Sequence, residues 1–480
     1  MGSCTKWIEM SQKNKPQSNT LTAGIMTLLT TGMLVGSTIF NMDIQRQTWA
    51  LNHSDTTILF TLICFYMAAI VGSIAACFFV ERFEKKPLSK VYLVLVIVAS
   101  ILLIVLPNNI VAMAFARVLF GLAHGMAYVI ILIHGGEVSI KELRGLNISA
   151  VNYCLILGAV THGVFTPIHS YNELNPNRLV GILGLTYAVI GAGIAQFLTY
   201  ESPVYLIQRG REGEAIQAMM KLRNDSTETW EIRNDYTEFK TMLQEDDETS
   251  QSIFQDGNIR PLVLLSLCKL ASVLSFNMAL NLVRLNILDE LFGYDDYSIS
   301  AVMIMMVRLI MGSLFLFVID RFGRKAPILL STIASGSILA ITGLIYLVAD
   351  YINRDVGIAL ILTYEVVSST GLTIVPDVYS SEAFNTKKKA ASIAALHTVE
   401  NILQILITVV VFSWDFTDGY KQGAVMITCG FPLLALSGIF YRWLPETNKM
   451  TIRQTRTEFS KHGEIVFSGT KTQPHNFLND

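Results

Sequence analysis

Twelve runs of about twenty apolar residues recur along this 480-residue chain, and they restrict its fold more than any other feature. A helix crosses the roughly 30 Å core of a bilayer with about 20 such residues. Only 15% of the residues are charged, whereas soluble proteins carry about 25%. We therefore predict an all-α membrane protein with twelve transmembrane helices. The predicted spans are 21–40, 57–80, 90–107, 110–134, 147–167, 179–199, 261–283, 298–319, 326–348, 356–380, 389–411 and 422–443.

The remaining composition excludes several classes of function. A formal net charge of −2 provides no field that would attract a nucleic acid. Five of the six cysteines lie within apolar runs and Cys4 lies in the polar N-terminal segment, so we expect neither a disulfide framework nor a cysteine metal site. The eight histidines show no spacing typical of a metal site or a catalytic triad. We expect no enzyme activity, no cofactor and no metal, with the lipid bilayer and a small-molecule substrate as partners.

The distribution of lysine and arginine predicts the orientation of the chain. If both termini are cytoplasmic, the cytoplasmic segments contain 28 of these residues and the outer segments about five, as the positive-inside rule requires. The first outer loop then contains Asn52-His53-Ser54, a glycosylation acceptor on the side where glycans are added. We predict a multi-pass plasma-membrane glycoprotein, modified at Asn52, with both termini in the cytosol.

The predicted spans form two groups of six around a polar segment. Residues 201–260 are charged, are interrupted by Gly210, and carry periodic apolar positions that predict short amphipathic helices. The tail after residue 446 shows no periodicity, which indicates disorder. The predicted units are a cytoplasmic N-terminus, a first six-helix bundle, a cytoplasmic linker, a second six-helix bundle and a cytoplasmic tail, at 1–20, 21–200, 201–260, 261–446 and 447–480.

A short sequence occurs in both groups, directly after their second predicted helix. Residues 81–86 read Glu-Arg-Phe-Glu-Lys-Lys, and residues 320–325 read Asp-Arg-Phe-Gly-Arg-Lys. A repeat in parallel register indicates two similar halves related by an axis along the membrane normal. In this respect the chain resembles the major facilitator superfamily, and specifically its sugar-porter family.

Four further motifs carry this resemblance along residues 20–450. They are Arg117, Gly121, Gly125, Glu137, Ser139, Arg144 and Gly145 in and after the fourth helix, Glu201-Ser202-Pro203 with Gly210-Arg211 after the sixth, Gly371, Pro376, Glu382, Ala383 and Phe384 in and after the tenth, and Leu444-Pro445-Glu446-Thr447 after the twelfth. The resemblance implies two pseudo-symmetric six-helix halves that form a carrier working by alternating access. It also implies facilitated transport of a hexose or trehalose.

A charged gate at the cytoplasmic end of the halves is implied by the same resemblance. In the family, the equivalent residues pair in the outward-facing state and separate when the carrier opens inward, and a network of small net stability suits such a switch. The alternative is that these charges are solvated loop ends, which contribute only about 0–1 kcal/mol per pair. Glu84, Ile140 and Val204 depart from the family pattern and predict a weaker gate on the N-terminal half. The predicted gate residues are Arg82, Glu137, Arg144, Glu201, Arg324, Glu382 and Lys389.

The predicted pocket differs from a typical sugar-porter site, which binds a neutral polyol with amides and a tryptophan. Ala271 and Ser272 replace the family's two helix 7 glutamines, and Gly163 replaces its helix 5 glutamine. Asp377 replaces the helix 10 tryptophan, and Arg308 replaces the helix 8 asparagine. Glu400 and Asn401 replace the helix 11 Asn-Trp pair. Charges inside a bilayer cost at least about 2.5–3.5 kcal/mol each, so they should face the cavity. Arg308 either contacts the solute or pairs with Asp377 or Glu400 as a structural bridge. The predicted substrate-binding residues are Asn152, Asn277, Asn281, Arg308, Asp377, Glu400 and Asn401.

Helical spacing supports one polar face on the eleventh helix. The residues at positions i, i+3, i+4 and i+7 of this face are His397, Glu400, Asn401 and Gln404. Lys269 lies two turns from the cytosolic end of its helix, so we expect its side chain to extend to the membrane surface. His124 and His162 are expected to be ordinary histidines of the helix bundle.

The first helix bears on the mode of transport. Leu34 occupies the position at which proton-coupled members of the family carry an aspartate, and its presence favours facilitated diffusion. Facilitated sugar transport is therefore the predicted function. Two alternatives remain open at this point, namely a carrier for a non-sugar solute, including a charged one, and a non-transporting sensor that retains the fold.

Overall fold

All twelve predicted spans are helical in the computed structural model, which describes residues 2–44, 53–172, 175–249, 252–255, 257–293, 297–349, 352–413 and 419–461. The helices of the first half are α3 (Thr22–Ile44), α4 (Asp55–Val80), α5 (Lys85–Val105), α6 (Ile110–Val138), α7 (Arg144–Asn172) and α8 (Pro176–Leu198). Those of the second half are α12 (Ile259–Ser275) with α13 (Met278–Phe292), α14 (Tyr297–Phe322), α15 (Lys325–Ala349), α16 (Arg354–Ser368) with α17 (Gly371–Glu382), α18 (Thr386–Phe412) and α19 (Gly419–Trp443). The predicted all-α fold with two six-helix halves is confirmed.

Shorter helices gather at one end of the bundle, which we call the linker end. They are α1 (Gly2–Lys13), α2 (Lys15–Thr20), α9 (Pro203–Gln208), α10 (Glu212–Leu222), α11 (Trp230–Asp247) and α20 (Ile452–Lys461). The expectation of a disordered tail is wrong over α20, where Phe459 is 2% exposed and packs edge-on against Tyr379 with 5.8 Å between ring centroids. Ile452, Thr455 and Phe459 are buried at positions i, i+3 and i+7, so one face of α20 packs on the bundle, contrary to the expected lack of periodicity.

Two spans of the second half are interrupted near their middle. The seventh span breaks between α12 and α13, where the Asn277 side-chain oxygen accepts hydrogen bonds from the backbone N–H groups of Ala279 and Leu280 at 2.8 and 3.2 Å. The tenth span breaks between α16 and α17, and Pro376 lies inside α17. Helix breaks at membrane depth occur where the backbone lines a protein-enclosed site. The two breaks therefore mark a region in which a binding site can form.

Glycines bring helix backbones into direct contact within each half. A Cβ added at Gly32 of α3 would overlap the Leu155 carbonyl of α7, and one added at Gly125 of α6 would overlap the Ala69 carbonyl of α4. In the second half, a Cβ at Gly371 would overlap a backbone oxygen of α15 in the same way. Close approach at small residues is the usual means of helix packing in membranes. Each half is thus built on contacts between main chains.

Candidate functional site

A buried ion triad lies where helices α12, α17 and α18 meet. Nζ of Lys269 is 2.5 Å from Oδ1 of Asp377 and 2.8 Å from Oε2 of Glu400. Lys269 and Asp377 are 2% and 0% exposed, whereas Glu400 is 21% exposed. The expectation that Lys269 reaches the membrane surface is therefore wrong, because two carboxylates hold its ammonium group inside the bundle.

Side chains of the first half complete the triad. The Tyr128 hydroxyl of α6 donates a hydrogen bond to Oδ1 of Asp377 at 2.5 Å and accepts one from Nζ of Lys269 at 2.5 Å. The Asn152 amide of α7 donates to the other carboxylate oxygen of Asp377. Asp377 consequently joins the two halves at the centre of the molecule. Asn152, Asp377 and Glu400, which the sequence placed in one pocket, lie together here, and Tyr128 is a contact that the sequence did not indicate.

Two histidines extend this polar site along α18 and α6. The His397 ring stacks on the Tyr128 ring with 4.0 Å between centroids, and its Nδ1 lies 2.6 Å from the Ser73 hydroxyl of α4. The His124 ring centroid is 5.3 Å from that of His397, and its Nδ1 lies 3.0 Å from the Thr31 hydroxyl of α3. His124 is therefore hydrogen-bonded within the bundle as expected, but it also borders the site.

The remaining amides of the predicted pocket lie near the break in the seventh span. The Asn277 amide donates to the side-chain oxygen of Gln404 at 2.5 Å, so α13 and the polar face of α18 meet as the spacing predicts. The Asn401 amide donates to the His397 carbonyl of its own helix at 2.7 Å. Asn277 and Gln404 therefore extend the polar surface away from the triad.

A second buried ionic group, the arginine cluster of Arg284, Arg308 and Glu365, lies within the second half. Nε of Arg308 is 2.5 Å from one carboxylate oxygen of Glu365, and Nε of Arg284 is 2.9 Å from the other. Arg284 also donates to the Asn281 side-chain oxygen at 3.0 Å, and Arg308 donates to the Ser368 hydroxyl at 2.9 Å. The cluster thus links α13, α14 and α16.

This cluster corrects the expected partner of Arg308. One of the two predicted roles of Arg308 was a structural bridge to Asp377 or Glu400. The structure instead pairs Arg308 with Glu365, while Asp377 and Glu400 both pair with Lys269. Glu365 was not among the predicted site residues. It could have been found from the sequence, because an acidic residue in the middle of the apolar run 356–380 is costly without a partner.

At the linker end, Glu382 connects the halves. Its carboxylate lies 3.5 Å from Arg144 of α7 and 3.9 Å from Arg324, and it accepts a hydrogen bond from the Thr447 hydroxyl at 2.9 Å. Lys389 is 2% exposed and reaches α6, since a Cβ added at Gly136 would lie 2.9 Å from its Nζ. Arg144 and Arg324, two of the predicted gate residues, therefore both lie within ion-pair distance of a third, Glu382.

The first half carries a matching arrangement. Glu137 lies 3.8 Å from Nζ of Lys85 and accepts from the Ser202 hydroxyl at 2.5 Å, while Glu201 accepts from the Lys85 backbone N–H at 2.8 Å. Burial raises the pKa of the Glu201 carboxyl, against the opposing effect of the Lys85 ammonium. The Arg82 side chain is exposed, and the structure places Lys85, at the repeat position of Arg324, in the role predicted for Arg82.

Acidic side chains cap two helices at the linker end, and the sequence indicated neither. Asp320 of α14 accepts hydrogen bonds from the backbone N–H groups of Gly145 and Leu146, in the first turn of α7, at 3.0 and 2.9 Å. In the second half, the first turn of α18 is capped from the linker, since Thr386 N–H donates to Asp246 of α11 at 2.8 Å. An acid at a helix N-terminus is stabilised by free N–H groups and by the helix dipole. Asp320 therefore adds a contact between the halves.

The predicted glycosylation site and any metal site would lie outside these clusters. Asn52, the predicted glycosylation site, lies outside the described residues. Within the described part of the chain, no group of three or more His, Cys, Asp or Glu side chains is arranged to hold a metal ion.

Comparison with known proteins gives a consistent result. Residues 18–459 match the family model described as "Sugar (and other) transporter". The chain is 26% identical over 409 residues to Membrane transporter D1 of Leishmania donovani, covering 80% of this chain and 70% of that protein. It is 23% identical over 463 residues to Probable polyol transporter 3 of Arabidopsis thaliana, covering 90% and 88%.

The fold is also shared with a solved transporter structure. The chain aligns with the proton:xylose symporter XylE bound to 6-bromo-6-deoxy-D-glucose, with a TM-score of 0.75 at 15% identity, and the alignment covers 95% of this chain and 99% of that one. The sequence match spans both halves and the linker. The protein is therefore a multi-pass membrane transporter that belongs to the sugar (and other) transporter family and has the fold of a major facilitator superfamily protein.

Proposed function

We propose that this protein is a facilitative carrier that moves a neutral sugar, a hexose or trehalose, across the plasma membrane by alternating access. The observation that carries the proposal is the position of Asp377, whose carboxylate is bonded to Lys269 of its own half and to Tyr128 and Asn152 of the other. A polar site between two halves, enclosed by apolar helices, is the place where a carrier binds its solute.

The chemistry of the site favours a neutral solute with hydroxyl groups. The Lys269 ammonium offsets one of the two carboxylate charges, and both carboxylates are already paired with it, so the site does not require an anionic solute. Sugar hydroxyls donate and accept hydrogen bonds, and they can replace the bonds that Tyr128 and Asn152 now make to Asp377. A charged organic solute and a non-transporting sensor are not favoured, since the family model that matches residues 18–459 describes sugar and other transporters.

Alternating access requires contacts between the halves that can break and re-form, and the polar contacts at the linker end are of this kind. The halves meet at the linker end through Arg144–Glu382 and through the cap that Asp320 gives to α7, so this end is closed. Opening it requires separation of polar side chains, whose bonds water can replace. We propose that Arg144, Arg324, Glu382, Lys389 and Asp320 form the gate between the halves, with Glu137, Glu201 and Lys85 supporting it on the first half.

Orientation is the second part of the proposal. The linker end carries most of the 36 lysine and arginine residues of the chain, and such segments remain in the cytosol. Both termini are then cytoplasmic, and Asn52 lies in an outer loop where it can be glycosylated. Leu34, which is 2% exposed, provides no titratable group on α3, and this supports uniport rather than proton coupling.

Tracer uptake into liposomes that contain the purified protein tests the proposal. Glucose, trehalose, inositol and charged metabolites are compared, with and without a pH gradient. We expect saturable uptake of a hexose or trehalose that is independent of the gradient. Asp377→Asn should reduce this uptake at least tenfold at equal protein content, while the control Asp355→Asn, which changes an exposed acid of the same half, should not. Uptake restricted to a charged metabolite, or no uptake of any solute, would contradict the proposal.

A further inference from the structure

The arginine cluster contains one positive charge more than its acids balance. Arg284 and Arg308 remain protonated in proteins, and they share the single carboxylate of Glu365. The three side chains are 4%, 0% and 0% exposed. In the part of the chain that the structure describes, no second carboxylate pairs with either guanidinium group. The cluster therefore buries a net charge of +1 among apolar helices.

Such a charge is unstable at this depth without a counter-ion, because a buried unpaired charge loses its hydration. The ion triad does not supply that counter-ion. The triad has one negative charge in excess, since Lys269 offsets only one of its two carboxylates, but none of the ion pairs found among the described residues joins it to an arginine of the cluster. Among the described residues, no carboxylate in contact with the cluster balances its second guanidinium group, and a bound anion would supply this charge.

Two hydrogen-bond donors of the cluster are available for that charge. Nη1 of Arg308 and the side-chain nitrogen of Asn281 are buried and have no acceptor among the described protein atoms. Both belong to one connected group, since Arg284 bonds to Asn281 and shares Glu365 with Arg308. Donors of this kind, beside excess positive charge, match an acceptor that carries one negative charge.

We propose that Arg284, Arg308 and Asn281 bind a small monovalent inorganic anion of the chloride type inside the C-terminal half. The size limit follows from burial, because the side chains of Arg308, Glu365 and Asn281 are fully enclosed and leave no route for an organic anion. This ligand is distinct from the transported solute, whose proposed site is formed around Asp377 between the halves.

The anion acts at the break in the seventh span. Arg308 donates to the Ser275 carbonyl, the last residue of α12, at 3.4 Å, and its guanidinium lies 4.4 Å from the centre of the Phe276 ring. The Tyr364 hydroxyl donates to the same carbonyl at 2.7 Å. Neutralising Arg308 therefore stabilises the junction of α12, the helix that carries Lys269.

Thermal unfolding of the purified full-length protein in lipid nanodiscs tests the site without measuring transport. Sodium chloride is titrated against sodium gluconate at constant ionic strength. We expect chloride to raise the melting temperature in a saturable manner, by about 2 °C or more. Identical melting curves in the two salts would overturn the proposal and indicate that water satisfies the free donors.

Variants that remove the excess positive charge of the cluster test which residues bind the anion. Arg284→Gln leaves Arg308 and Glu365 as a neutral pair, and Asn281→Asp supplies the missing negative charge within the chain, so each should abolish the chloride-dependent shift. Asn281→Asp also serves if Arg284→Gln does not fold. The control Arg354→Gln removes an exposed arginine of the same half and should keep the full shift. A shift that persists in both cluster variants, or disappears in the control, would refute this assignment.

Discussion

Replacing Asp320 by asparagine should open the linker end of the carrier. The Asp320 carboxylate, 5% exposed, accepts hydrogen bonds from the Gly145 and Leu146 N–H groups at 3.0 and 2.9 Å. Hydrogen bonds to charged groups contribute about 1.5–3 kcal/mol each, and neutral ones about 0.5–1.5 kcal/mol. An amide has one acceptor oxygen, so the variant exchanges two charged bonds for one neutral bond and loses about 3 kcal/mol. Because these bonds join the halves only in the closed state, the open population should rise about 100-fold.

Labelling of a cysteine that opening exposes provides the assay. Ser381, 0% exposed at the linker end, is replaced by cysteine in each background, and its reaction rate with a water-soluble maleimide is measured in liposomes. Variants without this cysteine give the background from the native thiols. Asp320→Asn should raise the rate at least tenfold, whereas Glu81→Gln, at the same position of the repeat in the first half and exposed, should not change it. A rate within twofold of wild type, in a protein that is folded, would refute the reasoning.

Other contacts can be tested in the same system. Glu382→Lys should also accelerate the labelling, since the new lysine repels the two arginines that the carboxylate now binds, and an unchanged rate would remove Glu382 from the gate. Trp7→Ala should raise the rate about twofold to fivefold, because aromatic and cation–π contacts contribute about 0.5–1 kcal/mol and the Trp7 ring packs against α14; a wild-type rate would show that α1 takes no part in closing. Asn52→Gln should remove a glycosidase-sensitive mass shift, and Asn224→Gln should retain it, because the same acceptor motif at Asn224-Asp225-Ser226 lies in the cytoplasmic linker. The reverse result would invert the proposed orientation.

The sequence predicted the helices because their signal is local. A run of twenty apolar residues identifies a span without knowledge of its neighbours. The motifs of the resemblance indicated several charges of the linker end, and the structure pairs Arg144 and Arg324 with Glu382 and pairs Glu137 with Lys85. Their role as a gate remains a proposal.

The partners of buried charges were harder to predict, because they depend on how helices are rotated and shifted against one another. Lys269 was assigned to the surface from its distance to the helix end, yet two acids from other spans hold it inside. For Arg308, the predicted alternatives were the solute or a bridge to Asp377 or Glu400, whereas the structure pairs it with Glu365. The helix break at Asn277 separates α12, which carries Lys269, from α13, which carries Arg284, and an asparagine in an apolar run does not by itself indicate a cap.

The different use of glycine within and between the halves has a consequence for how variants of this protein fail. A side chain at Gly32 or Gly125 would meet the main chain of a partner helix, which cannot move aside, so the bundle itself is distorted. A side chain at Gly145 would first meet the side chains of Asp320 and Arg324 in the opposite half, which can move. Damage of the first kind removes protein from the cell through quality control. Damage of the second kind leaves a normal amount of protein with an altered transport rate. In a library of glycine variants, the first kind should therefore reduce antibody staining, whereas the second kind should be detected only by a transport assay.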